Sequence, residues 1–150
     1  MIFVEANRIA PRLHQGSAPP YGHVLYDAGF DLLVLCAEEH QPDALLFPGV
    51  EVVHCPMDDA DRPPNNEELD YASTAAARAA DVVRAGGRAL ITCWAGKNRS
   101  GFVMVLTLHN LTGRSGQSCI RRVRVGRPIA LENAHFVAML EQIPRAKRSE

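Results

Sequence analysis

Residues 88–111, RALITCWAGKNRSGFVMVLTLHNL, decide the fold of this chain. The first five form a short, mostly apolar run, as a buried strand does, and the segment from Ser100 is apolar nearly all round, which is typical of a helix at the centre of a domain. The residues between them therefore form a loop at the carboxyl end of a strand. Open α/β sheets bind their ligands at such loops.

The segments on either side alternate between strands and helices. Residues 30–36 (FDLLVLC) and 50–55 (VEVVHC) are short apolar runs bounded by Gly, Pro or polar residues, as buried strands are. Further helices are predicted from their N-terminal caps: Asn65 with Glu68, Ser115, and Asn133. This order predicts an α/β fold with a small, mostly parallel central sheet flanked by helices.

The composition bounds the class of protein. The 150 residues, 47% of them hydrophobic, suit one domain with its own core, so residues 1–150 are predicted to form a single domain. Sixteen Lys and Arg against 17 Asp and Glu argue against binding of nucleic acid or membrane by bulk charge. No signal peptide or membrane span is recognisable, and we expect a soluble, cytoplasmic protein with reduced thiols.

The cysteines and histidines do not have metal-site spacing. No two cysteines form a C-x-x-C pair, and the histidines never form H-E-x-x-H, so no metal is expected. Cys36, Cys55 and Cys119 lie in strand or helix patterns and are predicted to be small core residues. Cys93 differs because it lies in the loop.

The loop combines the groups that phosphate chemistry needs. Its amides can converge in front of the following helix, where unpaired N–H groups and the positive end of the helix dipole favour an anion. Arg99, six residues after Cys93, can close over the same anion with its planar guanidinium. A thiol in that place ionises readily because a thiolate is itself an anion. The loop therefore predicts a nucleophile beside a phosphate site.

The specificity of this motif comes from its context. A Cys six residues before an Arg is a weak motif alone, but Gly96 between them and Ser100 after the Arg make chance a poor explanation. A Walker A loop is excluded, because Ile91 stands where its first Gly is needed and Asn98 where its Ser or Thr is needed.

These residues resemble the cysteine-based protein tyrosine phosphatases, whose loop reads H-C-x5-R-S/T, and most closely the dual-specificity branch. The resemblance covers most of the chain: RLHQGS, FDLLVLC, an Asp loop upstream of the nucleophile, CWAGKNRSG, VRVGRP, and N-x-x-F-x-x-x-L near the C-terminus. It implies a dual-specificity phosphatase-like fold. It also implies a phosphorylated protein or peptide as substrate and no cofactor.

The resemblance also implies roles for the loop residues. Cys93 would be the nucleophile that forms a phosphocysteine, Arg99 the phosphate clamp, and Ser100 the residue that stabilises the departing thiolate. The phosphate would be held by the backbone amides of Trp94, Ala95, Gly96, Lys97, Asn98 and Arg99. Thr92 departs from the family pattern, in which a His precedes the nucleophile, so the loop amides and Ser100 must contribute more.

The general acid has three candidates in PMDDADRPP. Alignment of CPMDD with the family's I-P-x-x-D favours Asp59, although a longer loop than in many relatives leaves Asp58 and Asp61 open. Two further assignments have two interpretations each. Trp94 either forms a rim against a substrate ring or packs under the loop. The basic residues near the C-terminus, Arg121, Arg122, Arg124 and Arg127, are predicted to form a solvated helix face, although Arg124 and Arg127 also match the family's structural R-x-x-R.

Three alternatives to a dual-specificity protein phosphatase stay open. Lys97 resembles the corresponding residue of phosphoinositide phosphatases, and the Asn-Arg-Ser at residues 98–100 resembles RNA 5'-triphosphatases. The third alternative is a non-catalytic module that binds phosphate and does not turn it over. The low-molecular-weight phosphatases are disfavoured, because their loop opens the chain.

Overall fold

In a computed structural model, which describes residues 4–147, one five-stranded sheet is packed between helices. The strands are β1 (Ala6–Ala10), β2 (Leu13–Gly16), β3 (Leu32–Ala37), β4 (Glu51–Met57) and β5 (Ala89–Thr92). The helices are α1 (Val24–Asp27), α2 (Asn66–Arg84), α3 (Arg99–Thr112), α4 (Gly116–Gly126) and α5 (Ala134–Glu141), with a 3-10 turn at Ala44–Leu46.

The sheet has the order β1-β2-β5-β3-β4. β1 is antiparallel to β2, and every other pair is parallel. The predicted α/β class with a mostly parallel sheet is confirmed, and the antiparallel β1–β2 hairpin makes the sheet mixed. Because β5 lies between β2 and β3, the loop that follows it starts at the middle of the sheet's carboxyl edge.

The two faces of the sheet bury separate apolar clusters. Alternate side chains of β3 point to opposite faces, as the pleat requires. Leu32 and Val34 pack in the larger cluster with the Ala-rich face of α2 and with α3. Leu33 and Leu35 pack with Phe47 in the smaller one. This packing fixes α3 under the loop at residues 93–98.

The helix caps follow the sequence. The capping box of α2 is present, with Glu68 N 2.8 Å from Asn65 Oδ1 and Asn65 N 2.9 Å from Glu68 Oε1. The side chains of Ser115 and Asn133 accept hydrogen bonds from the first turns of α4 and α5. These predictions are confirmed. Between residues 4 and 147, no helix combines the length and the apolar character that a membrane span requires.

Candidate active site

The start of the loop is anchored in the sheet. Cys93 is 5% exposed, and its N–H lies 3.4 Å from the carbonyl oxygen of Gly16 at the end of β2. Thr92, which stands where the family has His, donates its hydroxyl hydrogen to the carbonyl of Val34 at 2.9 Å. Thr92 is therefore engaged with β3 and not with the Cys93 sulfur.

Arg127 donates hydrogen bonds to two backbone carbonyls of the loop. Its Nε lies 2.7 Å from Gly96 O, and its Nη2 lies 3.3 Å from Ala95 O. The same guanidinium pairs with Glu5 at 2.9 Å and with Asn7 Oδ1 at 2.8 Å. Arg127 is 2% exposed. Its predicted place on a solvated helix face is therefore wrong, because it lies inside the molecule and supports the loop.

The neighbouring carbonyls of the loop also accept hydrogen bonds from outside it. Trp94 O accepts from Ala18 N at 3.2 Å, and Lys97 O accepts from Leu131 N at 3.0 Å. In a trans peptide the following N–H points away from the carbonyl. The N–H groups of residues 95–98 are thus directed away from these partners. We call these four amides the cradle; they are part of the oxyanion site that the sequence predicts from the amides of residues 94–99.

Gly96 makes the cradle possible. Its φ is +69°, which is the left-handed region that favours glycine. A Cβ at this position would lie 2.7 Å from Gly16 O and 2.6 Å from Arg127 Nη2. Any side chain would push the loop off β2.

The sulfur of Cys93 has a hydroxyl partner. Ser100 Oγ lies 3.2 Å from Cys93 Sγ. The side chain of Gln15 on β2 reaches the same hydroxyl, with Nε2 3.1 Å from Ser100 Oγ and 3.1 Å from Gly96 O. All three side chains are buried.

Arg99 is 7% exposed and faces the carboxylate of Glu39. Its Nη2 lies 2.7 Å from Glu39 Oε1, and its Nη1 lies 3.1 Å from Met57 O. Nε is buried and has no hydrogen-bond partner within residues 4–147. Burial opposes the charge of Arg99, but its hydrogen bond to Glu39 and the nearby Cys93 sulfur raise its pKa. The same hydrogen bond lowers the pKa of Glu39.

The three candidate acids have different surroundings. Asp59 is held between two amides, with Asn98 Nδ2 2.9 Å from Oδ2 and Asn133 Nδ2 2.9 Å from Oδ1. Asp61 is fully exposed and pairs with His135 at 2.9 Å. Asp58 is half-exposed, 3.6 Å from Arg62. Of the three, Asp59 is the one tied to the cradle loop.

Asn98 also ties the loop to the start of α5. Its Oδ1 accepts from the backbone N–H groups of Glu132 and Asn133, at 2.7 and 2.8 Å. Lys97 lies 3.7 Å from Glu132. The side chains of Asn98 and Lys97 therefore both bind other groups of the protein.

An aromatic rim borders the loop. The ring of Trp94 is 58% exposed and meets His40 edge to face, 5.5 Å between centroids. His40 in turn stacks on Tyr21 at 6.2 Å. Trp94 thus forms a rim and does not pack under the loop.

Known proteins are similar to this chain in sequence and in fold. No protein-family model matches the chain. Human dual specificity phosphatase 28 is 31% identical over 145 residues, which cover 95% of this chain and 80% of that protein. The chain belongs to the dual-specificity phosphatase family. A crystal structure of human DUSP28 matches with a TM-score of 0.78 at 29% identity, covering 94% of this chain and 93% of that one. A mouse dual-specificity phosphatase complexed with zinc tungstate matches with a TM-score of 0.79 at 29% identity, covering 94% and 87%.

The resemblance drawn from the sequence is thereby confirmed, and with it the enzyme class, a dual-specificity phosphatase. Three residues of this dual-specificity phosphatase were not recognised as site residues from the sequence: Gln15, Glu39 and Asn133. Asn133 was predicted only as a helix cap. Gln15 has no local signal, because β2 (LHQG) contains a single large apolar residue and is not predicted as a strand.

The other three cysteines lie in the core. Cys36, Cys55 and Cys119 are buried free thiols, as predicted. Burial raises the pKa of Cys36 well above its ordinary value and also raises that of Cys119. All three cysteines pack as small apolar residues. Arg121, Arg122 and Arg124 are exposed on α4, as predicted.

Proposed function

We propose that this dual-specificity phosphatase hydrolyses phosphate monoesters on proteins through a phosphocysteine intermediate on Cys93. The observation that carries the proposal is the set of donors in the loop: the carbonyls of residues 94–97 bond to groups outside it, which directs the N–H groups of residues 95–98 away from those partners, and the buried Nε–H of Arg99 has no hydrogen-bond partner in the described residues. Backbone donors and a guanidinium favour a tetrahedral dianion. Tungstate, the oxyanion in the complex of the mouse relative, has that shape.

In the first step the Cys93 thiolate attacks phosphorus. A sulfur–phosphorus bond forms, and the bond from phosphorus to the ester oxygen breaks. Asp59, held beside the loop by Asn98 and Asn133, gives its proton to the leaving oxygen. Arg99 and the loop amides stabilise the charge on the three equatorial oxygens.

In the second step water attacks the phosphocysteine. The Asp59 carboxylate takes the proton from the water, and the sulfur–phosphorus bond breaks to release inorganic phosphate. Ser100, 3.2 Å from Cys93 Sγ, donates its hydroxyl hydrogen to the departing thiolate. Microscopic reversibility makes the same carboxyl group acid and then base.

The substrate class follows from the surroundings of the loop. We propose phosphotyrosine together with phosphoserine and phosphothreonine in cytoplasmic proteins, because the rim of Trp94, His40 and Tyr21 offers aromatic surface to a tyrosine ring. Lys97 and Asn98, on which the phosphoinositide and RNA alternatives depend, are engaged with Glu132 and Asp59. Because both side chains already bind groups of the protein, the phosphoinositide and RNA alternatives have less support than a phosphoprotein substrate.

We also propose that residues 1–150 form one phosphatase domain.

Turnover of p-nitrophenyl phosphate in the presence of a chelator tests the proposal. We expect wild-type turnover, and for Cys93→Ser complete loss of turnover with binding of phosphate retained, measured by calorimetry. Residual wild-type rate in Cys93→Ser would reject the nucleophile. Binding without turnover in the wild type would indicate the non-catalytic module. Rates on phosphotyrosyl peptide, phosphoinositide and 5'-triphosphate RNA, compared side by side, identify the substrate class.

A further inference from the structure

Gln15 is a polar side chain in an apolar place. It is 0% exposed, on β2, and points to the same face of the sheet as Leu13, which belongs to the larger apolar cluster. A Cβ on Gly101 of α3 would lie 3.6 Å from Gln15 Nε2, so the amide packs against the first turn of α3. Its two hydrogen bonds go to Gly96 O and Ser100 Oγ.

The orientation of the Gln15 amide follows from its partners. A backbone carbonyl only accepts, so the Gln15 atom 3.1 Å from Gly96 O must be the nitrogen. The same nitrogen lies 3.1 Å from Ser100 Oγ and can only donate to it. Ser100 therefore accepts there. Its single hydroxyl hydrogen is left for its other neighbour, the Cys93 sulfur at 3.2 Å.

We infer that Gln15 is a positioning residue that fixes the direction of the Ser100–Cys93 hydrogen bond, so that Ser100 donates to the sulfur and stabilises the thiolate. The inference rests on the proposed function, in which Cys93 is the nucleophile. It also accounts for the missing His, because Thr92 is bound to Val34 O and does not reach the sulfur. In place of the His, two hydrogen bonds in series, from Gln15 to Ser100 and from Ser100 to the Cys93 sulfur, stabilise the thiolate.

Stability alone does not explain a glutamine at this position. Its Oε1 is buried and has no hydrogen-bond partner in the described part of the chain. Burial of an unpaired amide oxygen is unfavourable, and an apolar residue of the same size avoids it. What the amide supplies is its two donated hydrogen bonds. Both go to groups of the cradle.

Two substitutions test the inference. Gln15→Met keeps the length of the side chain and removes the donor. Gln15→Glu reverses the polarity, because a carboxylate accepts the Ser100 hydrogen and draws it away from the sulfur. The measurement is the rate of Cys93 alkylation by iodoacetamide against pH. We expect the midpoint of the profile to move up by about one pH unit in Gln15→Met and further in Gln15→Glu.

Kinetics provide a second measurement. A less stabilised thiolate is a poorer leaving group in the second step, so kcat should fall about 10-fold in Gln15→Met with KM changed little. Phosphocysteine should accumulate after a rapid quench. Leu13→Met, on the same strand and face, is the matched control and should retain the wild-type alkylation profile and kcat.

Coupling to Ser100 separates positioning from a structural role. In a Ser100→Ala background, Gln15→Met should cause no further shift of the alkylation midpoint, because the hydroxyl through which Gln15 acts on the sulfur is absent. A wild-type alkylation profile in Gln15→Met, or a full effect in the Ser100→Ala background, would overturn the inference while leaving Cys93-dependent turnover intact. Loss of the proposed function would appear differently, as absence of Cys93-dependent turnover in the wild type.

Discussion

At the scale of the residue, the choice of general acid depends on which carboxyl group is held at the loop. Asp59 is held at the loop by hydrogen bonds from Asn98 and Asn133. Asp61 is exposed and pairs with His135 instead. We predict that Asp59→Asn lowers kcat about 100-fold or more, because a positioned acid contributes about 100-fold to 10,000-fold. Asp61→Asn, the matched control, should change kcat by less than about threefold.

The leaving group provides a stringent check of that assignment. An alkyl phosphate needs the proton more than p-nitrophenyl phosphate does, because nitrophenolate leaves readily without it. The loss in Asp59→Asn should therefore be larger for the alkyl substrate. Steady-state rates on both substrates measure this. Equal losses in Asp59→Asn and Asp61→Asn would contradict the assignment.

The residues of the site differ in how visible they are in the sequence. Cys93, Arg99 and Ser100 lie within eight positions, and together with Gly96 and the flanking strand and helix they predict a phosphate loop. Gln15 and Glu39 lie 85 and 60 positions from their partners Ser100 and Arg99. Only the order of the strands brings them to the same edge of the sheet. Spacing along the chain does not show such contacts.

At the scale of the element, the N-terminus of α2 contains a buried carboxylate, Glu68, that accepts three hydrogen bonds. Glu68 is buried and accepts from the backbone N–H groups of Asp58 and Asn65 and from Arg62. Burial acts to raise the pKa of Glu68, but these hydrogen bonds outweigh it, and the pKa lies below its ordinary 4.5. Glu68 therefore stabilises the fold above the unfolded pKa, and the contribution is lost as pH falls through the lower, folded value.

We predict that Glu68→Gln lowers the free energy of unfolding at pH 7 by about 2 kcal/mol, because an amide cannot accept from all three donors. The difference from wild type should shrink toward pH 3. Urea unfolding at the two pH values measures it. Glu67→Gln, exposed in the same turn, should have little effect at either pH. A difference independent of pH would show that the charge of Glu68 is not what stabilises the turn.

The elements that the sequence predicted are those with strong patterns. The apolar runs of β3, β4 and β5 and the caps of α2, α4 and α5 are local features, and they are confirmed. The sequence patterns do not predict the hairpin of β1 and β2. Its strands have five and four residues, and Leu13 is the only large apolar residue of β2. Strands this short and this polar do not have the apolar run by which β3, β4 and β5 are recognised.

At the scale of the whole molecule, Arg127 joins three distant parts of the chain. It lies at the end of α4, holds Ala95 O and Gly96 O in the loop, and pairs with Glu5 beside β1. The orientation of the cradle amides therefore depends on contacts that span nearly the entire chain. Stability and oxyanion binding should be linked through this one guanidinium.

We predict that Arg127→Lys lowers the free energy of unfolding by about 2 kcal/mol, because a lysine keeps the charge but cannot serve both carbonyls, Glu5 and Asn7. The loop amides should also bind tungstate more weakly. A ligand that binds the folded state raises Tm according to its affinity, so the tungstate-induced rise in Tm should be smaller than in the wild type. Arg121→Lys, exposed on the same helix, is the matched control. A reduced Tm with the full tungstate-induced rise would show that Arg127 stabilises the fold without orienting the cradle.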